Sequence, residues 1–222
     1  MSKRYYSSLT KKYIMALMGL FLFTFLAVHL SINLLLLFDP TRVLFNEAAH
    51  FMGTNLIVQT FQWVLFAGFA IHIFYGVVLQ IQNWMARPTG YKKKAFSEES
   101  VFSKFMIYTG IVIFIFLVIH LGNFFVLKMQ GDVPEFNNAS VSEMEDMGLL
   151  VVNLFHNTGY VIFYVVLLLT MGFHLDHAFQ SAFQSLGLNH RKYMPFIKGL
   201  GRFLAIVLTV GFVSIPVIIY FR

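Results

Sequence analysis

The chain has 222 residues, of which 58% are hydrophobic, 18% aromatic and only 12% charged. A soluble domain carries about 25% charged residues, so this composition excludes an ordinary soluble enzyme and points to an integral membrane protein. There is no cysteine, which rules out disulfides, thiolate-held iron–sulfur clusters and thioether-attached haem. The net charge of +6 reads as membrane topology, with no nucleic-acid partner expected.

A transmembrane helix needs about 20 predominantly apolar residues. Five stretches meet that requirement: Tyr13 to Phe38, Leu56 to about Leu79, Phe105 to Leu127, Leu149 to about Leu175, and Phe203 to Phe221. With their polar extensions the predicted helices cover about 13–38, 56–86, 104–128, 148–186 and 200–221. The expected fold is an all-α membrane bundle of five transmembrane helices forming one domain over residues 1–222.

The chain opens with a short basic arm holding Lys3, Arg4, Lys11 and Lys12. A basic arm before an apolar run resembles a secretory signal, but this run is long and no small-x-small cleavage site follows it, so the first helix is expected to remain. It stops at Asp39-Pro40, and the segment to Asn55, with Glu47 and His50, reads as a loop. The second helix ends in Gln80-Ile81-Gln82-Asn83-Trp84-Met85-Ala86-Arg87, where Trp84 suits the headgroup level. Thirteen of the 16 Lys and Arg residues fall in the arm and in the second-to-third and fourth-to-fifth connections; only Arg42, Lys128 and Arg222 lie at the other end. The positive-inside rule then places the N-terminus in the cytoplasm. That basic face also suits docking of a soluble partner or anionic membrane lipid.

The third and fourth spans loosely echo the first and second, since Val28-His29-Leu30 with Asn33 recurs as Ile119-His120-Leu121 with Asn123. The fifth span carries Pro216 and no histidine, and is expected to be a peripheral packing helix.

Each of the first four spans carries one histidine deep in its apolar run: His29, His72, His120 and His174. His72 is flanked by Gly68 and Gly76, one turn to either side on the same face, where a flat ligand could lie close. Ionisable side chains in lipid are costly and mark functional sites. Neutral imidazoles from facing helices are suitable axial ligands for haem b, and two haems need four. Successive helices are antiparallel, so His29 and His120 belong to one layer and His72 and His174 to the other. Counted from the ends of the apolar runs, at ~1.5 Å per residue in a ~30 Å core, the layers lie about 5 to 10 Å apart. Counted from the nearest basic residues, all four lie at similar depth. His177, three residues after His174, competes with it for the same face. His50, His156 and His190 are in or near loops.

Gly172-Phe173-His174-Leu175-Asp176-His177-Ala178-Phe179-Gln180-Ser181-Ala182-Phe183-Gln184-Ser185-Leu186-Gly187 resembles the corresponding stretch in the five-helix, di-haem cytochrome b subunit of succinate dehydrogenases and fumarate reductases. Ser7-Ser8-Leu9-Thr10-Lys11-Lys12 and Leu26-Ala27-Val28-His29-Leu30 resemble that family too. The resemblance implies two haem b cofactors, with His72 and His174 holding the cytoplasm-proximal iron and His29 and His120 the distal one. In the family motif the ligand lies seven residues before the position of Ser181, which selects His174 over His177. It also implies a flavoprotein subunit and an iron–sulfur subunit on the cytoplasmic face of a bacterial membrane, with menaquinone as the quinone substrate; a dimer of that heterotrimer is compatible with it. Some di-haem fumarate reductases have a glutamate two residues before the fourth-helix histidine, on a proton path; here that residue is Gly172, so the path is not expected.

Quinone chemistry needs an ionisable residue beside an apolar slot. Glu47 and His50 are the candidates near the distal pair, with Gln59 further in; Asp176 and His177 are the proximal alternative. Two other readings fit parts of the pattern: the haem b anchor of a formate dehydrogenase or hydrogenase, and a proton-coupled transporter using its histidines as relays.

Overall fold

The computed structural model describes residues 8–85, 98–136 and 144–222. Lys3, Arg4, Ala86, Arg87, Lys92, Lys93 and Lys94 lie outside the described residues, as does the side chain of Lys104. Among the described residues there is no β-strand; eight α-helices run α1 Ser8–Phe38, α2 Val43–Thr54, α3 Leu56–Met85, α4 Glu98–Leu121, α5 Leu127–Gln130, α6 Met147–Phe155, α7 Thr158–Ser185 and α8 Met194–Tyr220. A π-helical segment, Gly122–Val126, joins α4 to α5 without a break. Five of these helical rods are long and apolar enough to cross a membrane: Leu9–Phe38, Leu56–Met85, Phe105–Gln130, Thr158–Ser185 and Met194–Tyr220.

Three sequence expectations are corrected. The segment expected as a loop with Glu47 and His50 is mostly helix α2. Asp39 starts it, its carboxylate accepting from the backbone N–H of Thr41 at 3.0 Å and of Leu44 at 2.9 Å, which satisfies donors that a helix leaves open. Asn55 then separates α2 from α3, its side chain accepting from the N–H groups of Ile57 and Val58.

The fourth helix is not continuous over 148–186. It divides at His156-Asn157 into α6 and the spanning helix α7, because Asn157 turns into an extended conformation and caps Tyr160 N–H. Asn is among the preferred N-cap residues, and here it overrides an uninterrupted apolar run.

The fifth span is not peripheral. α8 packs on α7 in the most extensive helix pair of the molecule and also on α1, burying Ala205, Leu208, Phe212, Ile215, Pro216 and Ile219. Gly172 on α7 lets Thr209 of α8 come so close that a β-carbon there would collide with the threonine hydroxyl. By contrast, α3 buries only Gly68 and the described side chains of α4 bury none. The protein core is therefore α1, α7 and α8, with α3 leaning on α1 and α4 on α7.

The four histidine-bearing spans thus form an open quartet in the order α3, α1, α7, α4, and its α3–α4 side is thinly packed. Neither diagonal, α1 with α4 or α3 with α7, is among the substantial helix contacts.

One end of the bundle is tied by polar contacts. Arg42 and Asp146 form a salt bridge at 2.9 Å, Lys128 pairs with Glu145 at 3.0 Å, and Arg222 donates to the carbonyls of Leu36 and Leu37. Asn46 is fully buried, donating to Asp146 and accepting from Gly148 N–H, both at 2.8 Å. Together with the backbone bonds from Asp146 N–H to the Pro134 carbonyl at 2.7 Å and from Phe136 N–H to the Met144 carbonyl at 2.6 Å, these bonds hold α2, α6 and the 131–136 strap over the ends of α1, α5 and α8.

Candidate functional site: paired histidines across the bundle diagonals

His29 on α1 and His120 on α4 face each other across one diagonal, ring centroids 5.8 Å apart and planes nearly perpendicular at 87°. Aromatic rings surround them. Phe25 stacks on His29 at 5.3 Å, Phe212 of α8 lies 5.9 Å from it, and Phe116 and Phe124 stand 5.5 and 5.1 Å from His120. Asn33, one turn after His29, donates to the His29 backbone carbonyl at 2.8 Å.

His72 on α3 and His174 on α7 belong to the other diagonal and are electrostatic neighbours. A glycine faces each of them from an adjoining helix: a β-carbon at Gly19 would stand 3.4 Å from His72 Cε1, and one at Gly110 would stand 3.8 Å from His174 Cε1. The glycines that flank His72 in sequence serve packing instead. Gly68 receives Phe21, whose ring would be 3.0 Å from a β-carbon, and Gly76 receives Met15. The glycines that lie beside the imidazoles themselves are on other helices, where no spacing relates them to the histidines.

All four rings are half-buried, yet the Nδ1 atoms of His72 and His120 are cut off from solvent with no hydrogen-bond partner. A buried polar atom without a partner is costly. Coordination by a metal satisfies one nitrogen of such a ring and leaves the other to be oriented. Among the described residues no three His, Cys, Asp or Glu side chains converge on a metal position. Two opposed imidazoles do fit an iron whose four in-plane positions a porphyrin already fills. Helices α3 and α4 pack thinly on one another, which suits a flat group on that side, and paired imidazoles are a donor set that fits haem b.

The remaining sequence candidates fall elsewhere. Glu47 and His50 are exposed on α2, whose buried face is Phe45 and Asn46. Gln59 donates to the Gly53 carbonyl at 2.6 Å. Asp176 accepts from Gln180 at 3.3 Å and faces Arg202 at 3.7 Å. His177 is another electrostatic neighbour of His174. His156 and His190 are exposed.

Three features near the histidines escaped the sequence reading. Thr109 of α4 lies 3.0 Å from His174 Nδ1; Tyr164, 3% exposed, accepts from Asn123 at 3.0 Å, with its ring 6.4 Å from His120; and the π segment begins two residues after His120. Such π segments are frequent at functional sites. A threonine or tyrosine in an apolar run gives no periodic signal, and a π turn gives none at all.

No protein-family model, curated protein or solved structure matches this chain.

Proposed function

We propose that this chain is the membrane-anchor cytochrome b subunit of a succinate dehydrogenase or fumarate reductase, carrying electrons between an iron–sulfur subunit and menaquinone through two haems b. The observation that carries the reading is the opposition of His29 and His120 at 5.8 Å across a diagonal whose helices do not otherwise pack closely; His72 and His174, on the other diagonal, are electrostatic neighbours. Each haem iron, when bound, supplies a one-electron ferric–ferrous couple within the membrane. The protein's part is to present two neutral imidazoles per iron, fix their directions, and keep water away with the surrounding phenylalanines.

In this reading the basic end of the bundle is cytoplasmic and receives the iron–sulfur and flavoprotein subunits. The opposite end handles menaquinone, with Glu47 and His50 on α2 as the groups that hold or move its protons. Dicarboxylate chemistry belongs to the flavoprotein, and the membrane is the bacterial cytoplasmic membrane.

The test is a dithionite-reduced minus oxidised visible spectrum of the purified protein, with haem quantified per chain. Two low-spin haems b per chain are expected. Protein made with ample haem supply that carries none would overturn the reading and favour a histidine proton relay.

A further inference from the structure

His174 differs from its three counterparts in having a side-chain oxygen of another helix within hydrogen-bond reach of its ring. Thr109 Oγ1 stands 3.0 Å from His174 Nδ1, 3.1 Å from the Met106 carbonyl and 3.3 Å from the Phe105 carbonyl. A hydroxyl has one proton to give and lone pairs that accept. The two carbonyls can only accept. Were the hydroxyl proton turned toward His174, the threonine oxygen would face both carbonyl oxygens at 3.1 to 3.3 Å with no hydrogen between them, which is repulsive. The favourable assignment sends the hydroxyl proton to its own helix backbone and leaves a lone pair for the ring. The Nδ1 atom must then be the donor.

From this geometry we infer that Thr109 is the positioning residue of His174: it fixes the Nδ1–H tautomer, leaving the Nε2 lone pair to bind iron. The inference rests on the di-haem reading for its iron, but not for its tautomer. The adjacent Gly110 places the α4 backbone beside the same ring, where a β-carbon would stand in ordinary contact, 3.8 Å from His174 Cε1. An acceptor on the distal N–H makes an imidazole a more basic ligand, and a more basic ligand stabilises ferric over ferrous iron. No side-chain oxygen serves the other rings in this way. His72 and His120 have unpartnered Nδ1 atoms, the polar neighbour of the His72 ring being the Met15 backbone of α1, and at His29 the nearby Asn33 amide nitrogen is itself a donor, 3.5 Å away. His174 is therefore the ring of the four that a side-chain hydroxyl from a neighbouring helix orients.

The experiment is a redox titration of both haems in the complete complex carrying Thr109→Val, which keeps the shape and removes the oxygen, beside Thr109→Ser, which keeps the oxygen. Thr109→Val is expected to raise the midpoint potential of the His72/His174 haem and leave the other in place; Thr109→Ser should stay near the parent value. Unchanged potentials in Thr109→Val, or equal shifts in both variants, would overturn the inference. If Thr109→Val fails to assemble, the same comparison is made between Thr109→Ser and Thr109→Ala. Should the wild-type chain bind no haem, the di-haem reading fails by itself. The tautomer is then read from the ¹⁵N shifts of His174 in the full-length chain, where a protonated Nε2 and bare Nδ1 would overturn the role of Thr109.

Discussion

Arg42 holds Asp146 with two nitrogens, Nε at 3.2 Å from Oδ1 and Nη2 at 2.9 Å from Oδ2, although 104 residues separate them in the chain. Arg42 adopts a left-handed backbone, φ 65°, to stand at the start of α2. The Asp146 carboxylate is almost entirely enclosed and also caps α6 through Leu149 N–H at 2.9 Å. Asp146→Ala therefore strands a guanidinium, the Asn46 amide and a helix N–H at once. Breaking a buried pair costs about 3–5 kcal/mol. The Arg42 side chain is 29% exposed, so solvent screening brings the expected loss to about 2–3 kcal/mol, checked by thermal unfolding in detergent.

The same pair makes stability depend on acid. Burial alone would raise the Asp146 pKa, but the Arg42 and Asn46 hydrogen bonds and the Leu149 N–H outweigh it and hold it below the ordinary 3.8. Asp39 is lowered too, first by the Thr41 hydroxyl and then by Leu44 N–H. With native pKa values below the unfolded ones, the contribution is complete above the ordinary carboxylate value and is lost as pH falls through the native value. Wild-type stability should be level above about pH 5 and decline below about pH 4. Asp146→Asn should begin lower and decline less in unfolding curves taken across that range.

Haem content tests the pairing of histidines. On the proposed di-haem reading, replacing either His29 or His120 with alanine should lower the yield from two haems per chain to one, and the haem lost should be spectroscopically the same in both variants. His72→Ala and His174→Ala should each remove the other. Retention of both haems in His174→Ala, with loss in His177→Ala, would assign the fourth ligand to His177.

The α7–α8 seam is tested by Gly172→Ala. The new methyl meets the Thr209 side chain, which already donates to the Ala205 carbonyl at 2.7 Å. Overpacking of this kind costs about 1–3 kcal/mol. Thr209→Ala in the same chain should restore at least about 1 kcal/mol of that loss, measured as the coupling in a double-mutant cycle. The same contact leaves no room for a larger side chain at position 172 without movement of Thr209.

The spans and their histidines were legible because lipid demands long apolar runs and makes each buried imidazole conspicuous. What was missed has physical causes. Helix α2 reads as a loop in the sequence because its apolar face is short and its start depends on Asp39, a residue that also reads as a stop. The break at His156-Asn157 was hidden by apolar residues on both sides. The central place of α8 was missed because hydropathy measures affinity for lipid, which a packing helix and a lipid-facing one share. Thr109 became visible only when α4 and α7 were brought together, since nothing at position 109 or 174 alone names the other.

The π segment after His120 carries one consequence for how such chains are compared. A wider turn absorbs one extra residue, and each residue of an α-helix advances the direction of its side chains by about 100°. His120 therefore looks into the bundle while Lys128 looks toward Gly53 and Glu145, a combination set by the bulge and not by the eight-residue interval. A chain one residue shorter here, with an unbroken α-helix, would present the same two faces. An alignment gap of one position between this histidine and this lysine is thus structurally silent, and matching the interval residue for residue would misplace everything on its far side.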